Sequence, residues 1–511
     1  MTPTTQLERE AKLFAGAEFA LPDLSRLVAG SSAEPAGSQV LHATYYDSPD
    51  LRLIRSGITL RYRLEGDGAG YWTLKLPVEG SGRGAMARTE YTVAGDPATV
   101  DRVPVPEELV DLVRVRLRGQ PLEPLAQLDT ERRRVRLVGG DGECLAEIDD
   151  DEVTVVRGPA AGSRFREIEV ELCAGAGPDV LRRATKRLIH AGAERGEPLP
   201  KAARALGSLA QSAPEVSVEP SLPRDAPLGR LVQRAIASGV ARLMRHDPGV
   251  RSGDDPEDVH QARVATRRLR SDLRTFREAL DPGWVKATRD ELRWLGRALG
   301  EVRDRDVLIE RLRVDAASLP PPDQVAGHHL LSRLEGERAR ARQAALDALR
   351  SDRYLALVEE LVRASHDPPP GELAARPARQ VVRDPVRRTW RRLARGVASL
   401  PEEPDDGQLH RIRILAKRCR YAAEAVAPQA GKPAERMASG VSGVQTVLGD
   451  LHDSAVAQEW LRGAIGQSPA QAVAAGQLIG IERQRAEALR QAWPRSWRAA
   501  KRKKLRAWLE R

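Results

Sequence analysis

HQARVATRRLR, residues 260–270, and HRIRILAKRCR, residues 410–420, are two versions of one segment, and reading them as helices decides how the second half of this chain folds. At steps of three and four, His260, Arg263, Arg267, Arg270 and Arg274 share one helix face. Ala262, Ala265, Leu269, Leu273, Phe276 and Leu280 form a second stripe that faces a core. The later copy repeats both patterns, with His410, Arg413, Lys417 and Arg420 basic and Ile412, Ala416, Cys419, Ala423 and Val426 apolar. A second pair of segments, LGEVRDRDV from Leu299 and LGDLHDSAV from Leu448, follows at spacings of 39 and 38 residues. A duplication in register predicts two similar helical bundles, over about 228–365 and 380–511.

Working outward, PPPGELAARPARQVVRDP and PEEPDDGQ read as loops around a further helix starting near Val381. Upstream, QSAPEVSVEPSLPRDAPLG is rich in Pro and Ser and without period, which predicts a linker at 211–227. Before it, from Leu7 to Val170, apolar and polar residues alternate in short runs broken by Gly and Pro, the pattern of half-buried antiparallel strands. The expectation is a multidomain α+β chain: an N-terminal antiparallel β-barrel with flanking helices over 1–210, and an all-α domain of two pseudo-repeated bundles over 228–511.

Charge divides along the same boundary. Residues 1–220 carry 28 basic and 34 acidic side chains, and the remainder carries 54 and 38, so the helical half has a net charge of +16 and attracts anions. The three cysteines, Cys144, Cys173 and Cys419, are widely separated and suggest neither a disulfide framework nor a zinc cluster, which fits a reducing compartment. MTPTTQLEREAK lacks signal-peptide character, and no run approaches the ~18 apolar residues of a membrane span. A cytoplasmic location without a membrane partner is expected.

Both copies of the His, Arg and Lys stripe, together with the LGxxxD segments, resemble the CHAD family, a conserved-histidine helical domain that accompanies CYTH domains. The resemblance spans about 228–510. It implies polyphosphate binding by His260, Arg263, Arg267, Arg270, His410, Arg413, Lys417 and Arg420, and association with polyphosphate granules. In the second LG segment His452 replaces Arg303 and Ala455 replaces Asp306, so the halves are not equivalent. Asp304 and Asp453 suit either a metal or, as favoured here, ion pairs that fix neighbouring arginines. The basic tail with Trp497 and Trp508 suits nucleic acid or, as favoured, packing.

In the first half, Glu8, Glu10 and Lys12 point to one side of a strand. Adjacent carboxylates repel, and a divalent cation such as Mg2+ or Mn2+ is the hard partner that relieves them. Arg61 with Arg63, Lys75 with Thr73, Arg88 with Glu90, and Glu167 with Glu169 and Glu171 are further one-sided rows. A sheet closed into a barrel turns such rows inward, with its apolar outside covered by helices.

EREAK, YYDSPDL, LRYR, TLK, RTE, EIEVE and PKAARAL, in that order over about 5–208, resemble the CYTH family, the triphosphate tunnel metalloenzymes. The resemblance implies metal-side carboxylates at Glu8, Glu10, Glu167, Glu169 and Glu171, with Asp149 as a further candidate. Phosphate ligands are implied at Lys12, Arg61, Arg63, Lys75, Arg88 and Lys201. One more arginine falls in ERRRVRL, where alternation favours Arg134 and motif register favours Arg133. Pro200 stands where the family often has Ser.

The leading expectation is a Mg2+- or Mn2+-dependent hydrolase of inorganic triphosphate or a related triphosphate, with Glu8, Glu10 and Lys12 catalytic and Lys12 or a carboxylate moving a proton. The alternatives are a non-catalytic polyphosphate-binding scaffold, a nucleic-acid binder, and the thiamine triphosphatase and adenylate cyclase activities of the same family. Tyr62, Tyr71 and Trp72 are the only strand aromatics suited to reading a base, and packing is favoured for them.

Overall fold

The computed structural model describes residues 3–66, 68–78, 86–96, 104–196, 199–465 and 468–510, so the outermost expected domain limits, residues 1 and 511, lie outside it. The chain forms two compact units, Met1–Glu215 and Val216–Arg511.

In the first unit eight strands close into a barrel: β1 (Thr4–Phe14), β2 (Ser32–Asp47), β3 (Thr59–Leu64), β4 (Gly70–Pro77), β5 (Met86–Gly95), β6 (Glu123–Val138), β7 (Cys144–Arg157) and β8 (Arg164–Leu172). Their order around the barrel is β1-β5-β4-β3-β2-β6-β7-β8, and every pairing is antiparallel. Period-two alternation puts the charged rows inside and the apolar rows outside. Three helices cover that apolar exterior: α1 (Glu107–Leu117), α2 (Pro178–His190) and α3 (Lys201–Leu206). Leu109, Leu112 and Val113 of α1 pack on Trp72, Leu74 and Tyr91; Val180, Leu181 and Leu188 of α2 pack on Leu13, Ile148 and Ile168. Ala202, Ala203 and Leu206 of α3 cover Leu128, Val153 and Val155. The hydrophobic core of this unit is therefore a shell around the barrel, which leaves the lumen free for polar chemistry.

Tyr62 and Trp72 belong to that shell, both almost fully buried, as the packing reading expected. A Cβ on Gly70 or Gly95 would come within 2.1 or 2.5 Å of the Tyr62 side chain, so these glycines make room for its ring.

One expectation is overturned. Cys144 and Cys173 form a disulfide, with Cα atoms 5.8 Å apart. They are 29 residues apart in sequence, but the β7–β8 ladder, which sets Ala146 opposite Leu172, brings them together. Cys419 is free and buried.

The second unit is helical: α4 (Leu228–Ser252), α5 (Pro256–Thr275), α6 (Pro282–Ala317), α7 (Pro321–Arg350), α8 (Asp352–His366), α9 (Ala378–Val381), α10 (Arg383–Ala398), α11 (Asp406–Ala430), α12 (Lys432–Ala464), α13 (Pro469–Ala500) and α14 (Lys503–Arg506). The duplication appears as α4–α7 repeated by α10–α13. Asp255 caps α5 by accepting from the Glu257 amide, and Asp405 with Gln408 forms a capping box on α11. The predicted apolar stripes of α5 and α11 are buried. Gly239 lets α4 approach α5, since a Cβ there would lie 2.5 Å from Leu269. Leu308, Leu312, Leu330 and Leu334 of the first repeat share one core with Leu461 and Leu478 of the second. Among the described residues no helix is long and apolar enough to cross a membrane.

Candidate functional site

The barrel ladder fixes which charges meet. Glu8 lies opposite Arg88, Glu10 opposite Glu171, and Lys12 opposite Glu169. Lys75 lies opposite Glu90, while Arg132 and Arg134 of β6 lie opposite Asp151 and Asp149 of β7. Lys201, the first residue of α3, adds its ammonium from outside the strands. The result is a cavity of about 160 Å3 lined by eight cationic side chains, Lys12, Arg61, Arg63, Lys75, Arg88, Arg132, Arg134 and Lys201. Five carboxylates, Glu8, Glu10, Glu90, Glu169 and Glu171, share the lining, and Glu167, Asp149 and Asp151 stand behind it against the same cations.

The acidic residues divide into two groups. Glu169 accepts from Lys12 and lies 2.9 Å from Lys201 and 3.1 Å from Arg132. Glu167 lies 2.6 Å from Lys201, and Asp151 lies 2.6 Å from Arg132 and 2.9 Å from Lys201. Asp149 is held by Arg132 at 2.5 Å and Arg134 at 2.7 Å. Each of these carboxylates aims a cation into the lumen.

Glu8, Glu10 and Glu171 differ. Glu8 shares Lys75, at 2.5 Å, with Glu90. The nearest cation to Glu10 is Lys12 at 3.7 Å, and its Oε1 is buried without a hydrogen-bond partner. Glu171 has no ion pair among the described residues, and burial, reinforced by the charges of Glu8 and Glu10, pushes its carboxyl up to about 7. No three His, Cys, Asp or Glu side chains among the described residues converge closely enough to cage a metal as they stand. The donors nevertheless fit a hard divalent cation: three neighbouring carboxylates, an orphaned oxygen on Glu10 as on the nearby buried Glu167, and a Glu171 carboxyl whose charge is opposed by burial and then by its neighbours.

The structure also decides the arginine that the sequence left open. Arg134 faces the lumen, whereas Arg133 is 54% exposed on the outside and pairs with Glu152. Arg132, which sequence reading passed over, binds three carboxylates, Asp149, Asp151 and Glu169. Its signal was present, because Arg132 and Arg134 share strand parity. Tyr45 was also missed, hidden in an apolar run. Its phenol lines the cavity, and although burial opposes ionisation, Arg61, Lys201 and Lys12 pull its pKa below the usual value.

In the helical unit the basic stripes of α5 and α11 face a common cleft of about 320 Å3. Arg263, Arg267, Arg270, Arg274 and Arg289 of the first repeat and Lys417 and Arg418 of the second line it. The Nε atoms of Arg267, Arg270 and Arg289 are buried without partners. Burial, together with Arg267, Arg413, Arg263 and Arg270, pushes the Lys417 ammonium down to about 7. Arg263 is paired with Asp304 at 3.0 Å, the ion pair favoured from sequence. Gly300 and Gly449 stand at equivalent places, where a Cβ would lie 3.4 Å from the Arg263 Nε and 3.7 Å from the Arg413 Nε.

Not every residue of the stripes joins the cleft. Arg420 is drawn to Glu424 at 2.7 Å. His410 packs against His452 with the rings tilted by 48° and their centroids 4.3 Å apart, so the residue in place of Arg303 pairs the histidines. Burial and Arg413 push His452 down to about 4, and burial lowers His260 and His410 as well. In the tail, Trp497 stacks on Trp390 at 5.5 Å, which is packing.

Comparison with known proteins matches this division. Residues 6–198 match the CYTH domain and residues 234–462 the CHAD domain. An uncharacterised protein of Mycobacterium tuberculosis is 34% identical over 487 residues, covering 90% of this chain and 89% of its own. Among solved structures, PptA from Streptomyces chartreusis is 26% identical with a TM-score of 0.46, covering 53% of this chain and 100% of that one. The CHAD domain from the plant Ricinus communis is 28% identical with a TM-score of 0.43, covering 58% and 95%. With the barrel, the helical repeat and a relative matched along nearly its whole length, this chain belongs to the family in which a CYTH domain is followed by a CHAD domain.

Proposed function

We propose that the barrel hydrolyses inorganic triphosphate, or a closely related triphosphate, with Mg2+ or Mn2+, and that the helical unit binds polyphosphate. The observation that carries the first part is the division of the lumen. Glu8, Glu10 and Glu171 gather at one side, where Lys75 and Arg88 flank Glu8, while Arg61, Arg63, Arg132, Arg134 and Lys201 supply cations to the rest of the lining.

These three carboxylates would hold the cation, whose chemistry is charge neutralisation of a phosphoryl group and activation of water. The chain's own residues supply positioning. Arginines anchored by buried carboxylates are preorganised donors, so aligning a phosphate chain requires little reorganisation. Lys12 is one of these donors rather than a base. Burial alone would lower its pKa, but Glu10, Glu169 and Glu167 outweigh it and keep the ammonium charged. Tyr45 offers a hydroxyl beside Arg61 for a phosphate oxygen.

The second part rests on the clustered arginines of the α5–α11 cleft, among which the Nε atoms of Arg267, Arg270 and Arg289 are buried without partners, a concentration of charge that a polyanion would neutralise. Phosphate release from inorganic triphosphate, ATP, thiamine triphosphate and long-chain polyphosphate, each with metal or chelator, tests the reading. Release chiefly from inorganic triphosphate supports it; tight polyphosphate binding without release from any substrate supports a scaffold instead.

A further inference from the structure

The internal repeat allows the two flanks of the helical cleft to be compared position by position. A shift of 150 residues carries Arg274 onto Glu424, Arg268 onto Arg418, Asp272 onto Ala422, and Arg242 of α4 onto Arg392 of α10. Two of these places, 274/424 and 272/422, hold different charges in the two repeats, while 268/418 and 242/392 keep arginine.

On the α10 flank, Arg274 and Arg418 line both the main cleft and, with Arg277, Arg388 and Arg392, an adjoining cavity of about 60 Å3. Among the described residues Glu278 pairs with two of these arginines, 3.1 Å from Arg388 and 3.8 Å from Arg277. Among the described residues Arg274, Arg392 and Arg418 have no carboxylate partner. Burial and the surrounding arginines, Arg418, Arg289, Arg270 and Arg392, push Arg274 down to about 10. On the α4 flank the same architecture is neutralised. Glu424 takes Arg268 at 2.6 Å and Arg420 at 2.7 Å and carries the neutralising charge, since burial pushes the neighbouring Asp272 carboxyl up to about 8.

We propose that the α10 flank is a second phosphate subsite: an oligophosphate seated in the cleft continues past Arg274 and Arg418 onto Arg392 and Arg388, and does not leave by the α4 flank. The cleft thereby gains a direction and a preference for chains long enough to occupy both compartments. Each guanidinium adds charge-assisted hydrogen bonds to phosphate oxygens. The inference rests on the polyphosphate-binding reading of the helical unit and deepens it.

The test uses the full-length chain with chelator present, measuring displacement of labelled long-chain polyphosphate by unlabelled oligophosphates of increasing length. In the wild type, competitor strength should rise with length beyond what fills the cleft. Arg388→Gln plus Arg392→Gln should weaken long-chain binding roughly tenfold, the scale of one or two charge-assisted hydrogen bonds, and leave short competitors unchanged. Arg242→Gln, on the opposite flank, should change neither.

Equal weakening by Arg242→Gln, or no length-dependent loss in the α10 double variant, would overturn the second subsite. The polyphosphate reading would survive either result provided that Arg267→Gln plus Lys417→Gln abolishes binding. A wild type that binds no polyphosphate, or that RNA of matched charge displaces as readily as polyphosphate does, would instead remove the reading on which the subsite rests.

Discussion

Glu10 on β1 and Glu171 on β8 stand directly opposite one another in the barrel ladder, two carboxylates where cross-strand pairing would ordinarily favour opposite charges. Glu8 lies on the same side of β1, and Glu171 responds to its neighbourhood with a carboxyl pushed up to about 7 by burial and by Glu8 and Glu10. A bound cation would relieve this repulsion. Mg2+ or Mn2+ should therefore raise the unfolding temperature of the barrel unit, by the equivalent of about 2.7 kcal/mol at a hundredfold excess over Kd. Glu10→Gln plus Glu171→Gln should remove that shift while raising stability without metal. A metal-induced shift that persists in the double variant would place the cation elsewhere.

Arg132 and Arg133 are adjacent in sequence and opposite in consequence. Arg132→Gln leaves Asp149, Asp151 and Glu169 without their shared guanidinium and should lower triphosphate turnover at least tenfold. Arg133→Gln removes an exposed pair with Glu152 and should alter stability by less than about 1 kcal/mol and turnover hardly at all. Steady-state kinetics and thermal melts on the two variants check the assignment.

Much of this was legible because a strand has period two. The alternation in EREAK, LRYR and EIEVE was enough to put Glu8, Glu10, Arg61, Arg63 and Glu171 on one wall, and the closed barrel supplied the rest. What alternation could not show was partnership across strands. Glu167, Glu169 and Asp149 were read in sequence as metal-side carboxylates, and what only the register shows is that Lys201, Lys12, Arg132 and Arg134 stand against them. Cys144 and Cys173 looked isolated for the same reason, since their adjacency is a property of the β7–β8 register. In the helical half the duplication exposed both basic stripes. The loss of Arg420 to Glu424 depended on one turn of α11.

Polyphosphate binding should depend on pH through Lys417. In the free protein its ammonium is pushed down to about 7 by burial and by Arg267, Arg413, Arg263 and Arg270, with the lowered His410 on its own helix. A bound polyanion restores the charge and raises that pKa. Binding should then take up a proton above pH 7, with affinity steady below about pH 7 and falling as pH rises through the window above it. Calorimetry in buffers of different ionisation enthalpy checks this, and Lys417→Arg should remove the uptake. Equal proton uptake in that variant would assign the effect to another group.

Stability of the helical unit should depend on a polar network remote from the cleft. Asp247 accepts from Arg251 at 2.6 Å and from the Tyr354 hydroxyl at 2.8 Å, all three groups being buried. Asp247→Ala takes the carboxylate from a buried guanidinium that keeps the Leu349 carbonyl, and should cost about 3–5 kcal/mol, read by denaturant unfolding, with tunnel turnover per folded molecule unchanged.

The most direct test of the central claim is phosphate release from inorganic triphosphate by the wild type and by Glu8→Gln plus Glu10→Gln, each titrated with Mg2+ and Mn2+ from a chelated start. The account predicts release that rises with metal in the wild type and is lost in the double variant, while polyphosphate binding by both proteins stays the same. Metal-independent release, or full metal-dependent turnover in the double variant, would contradict it.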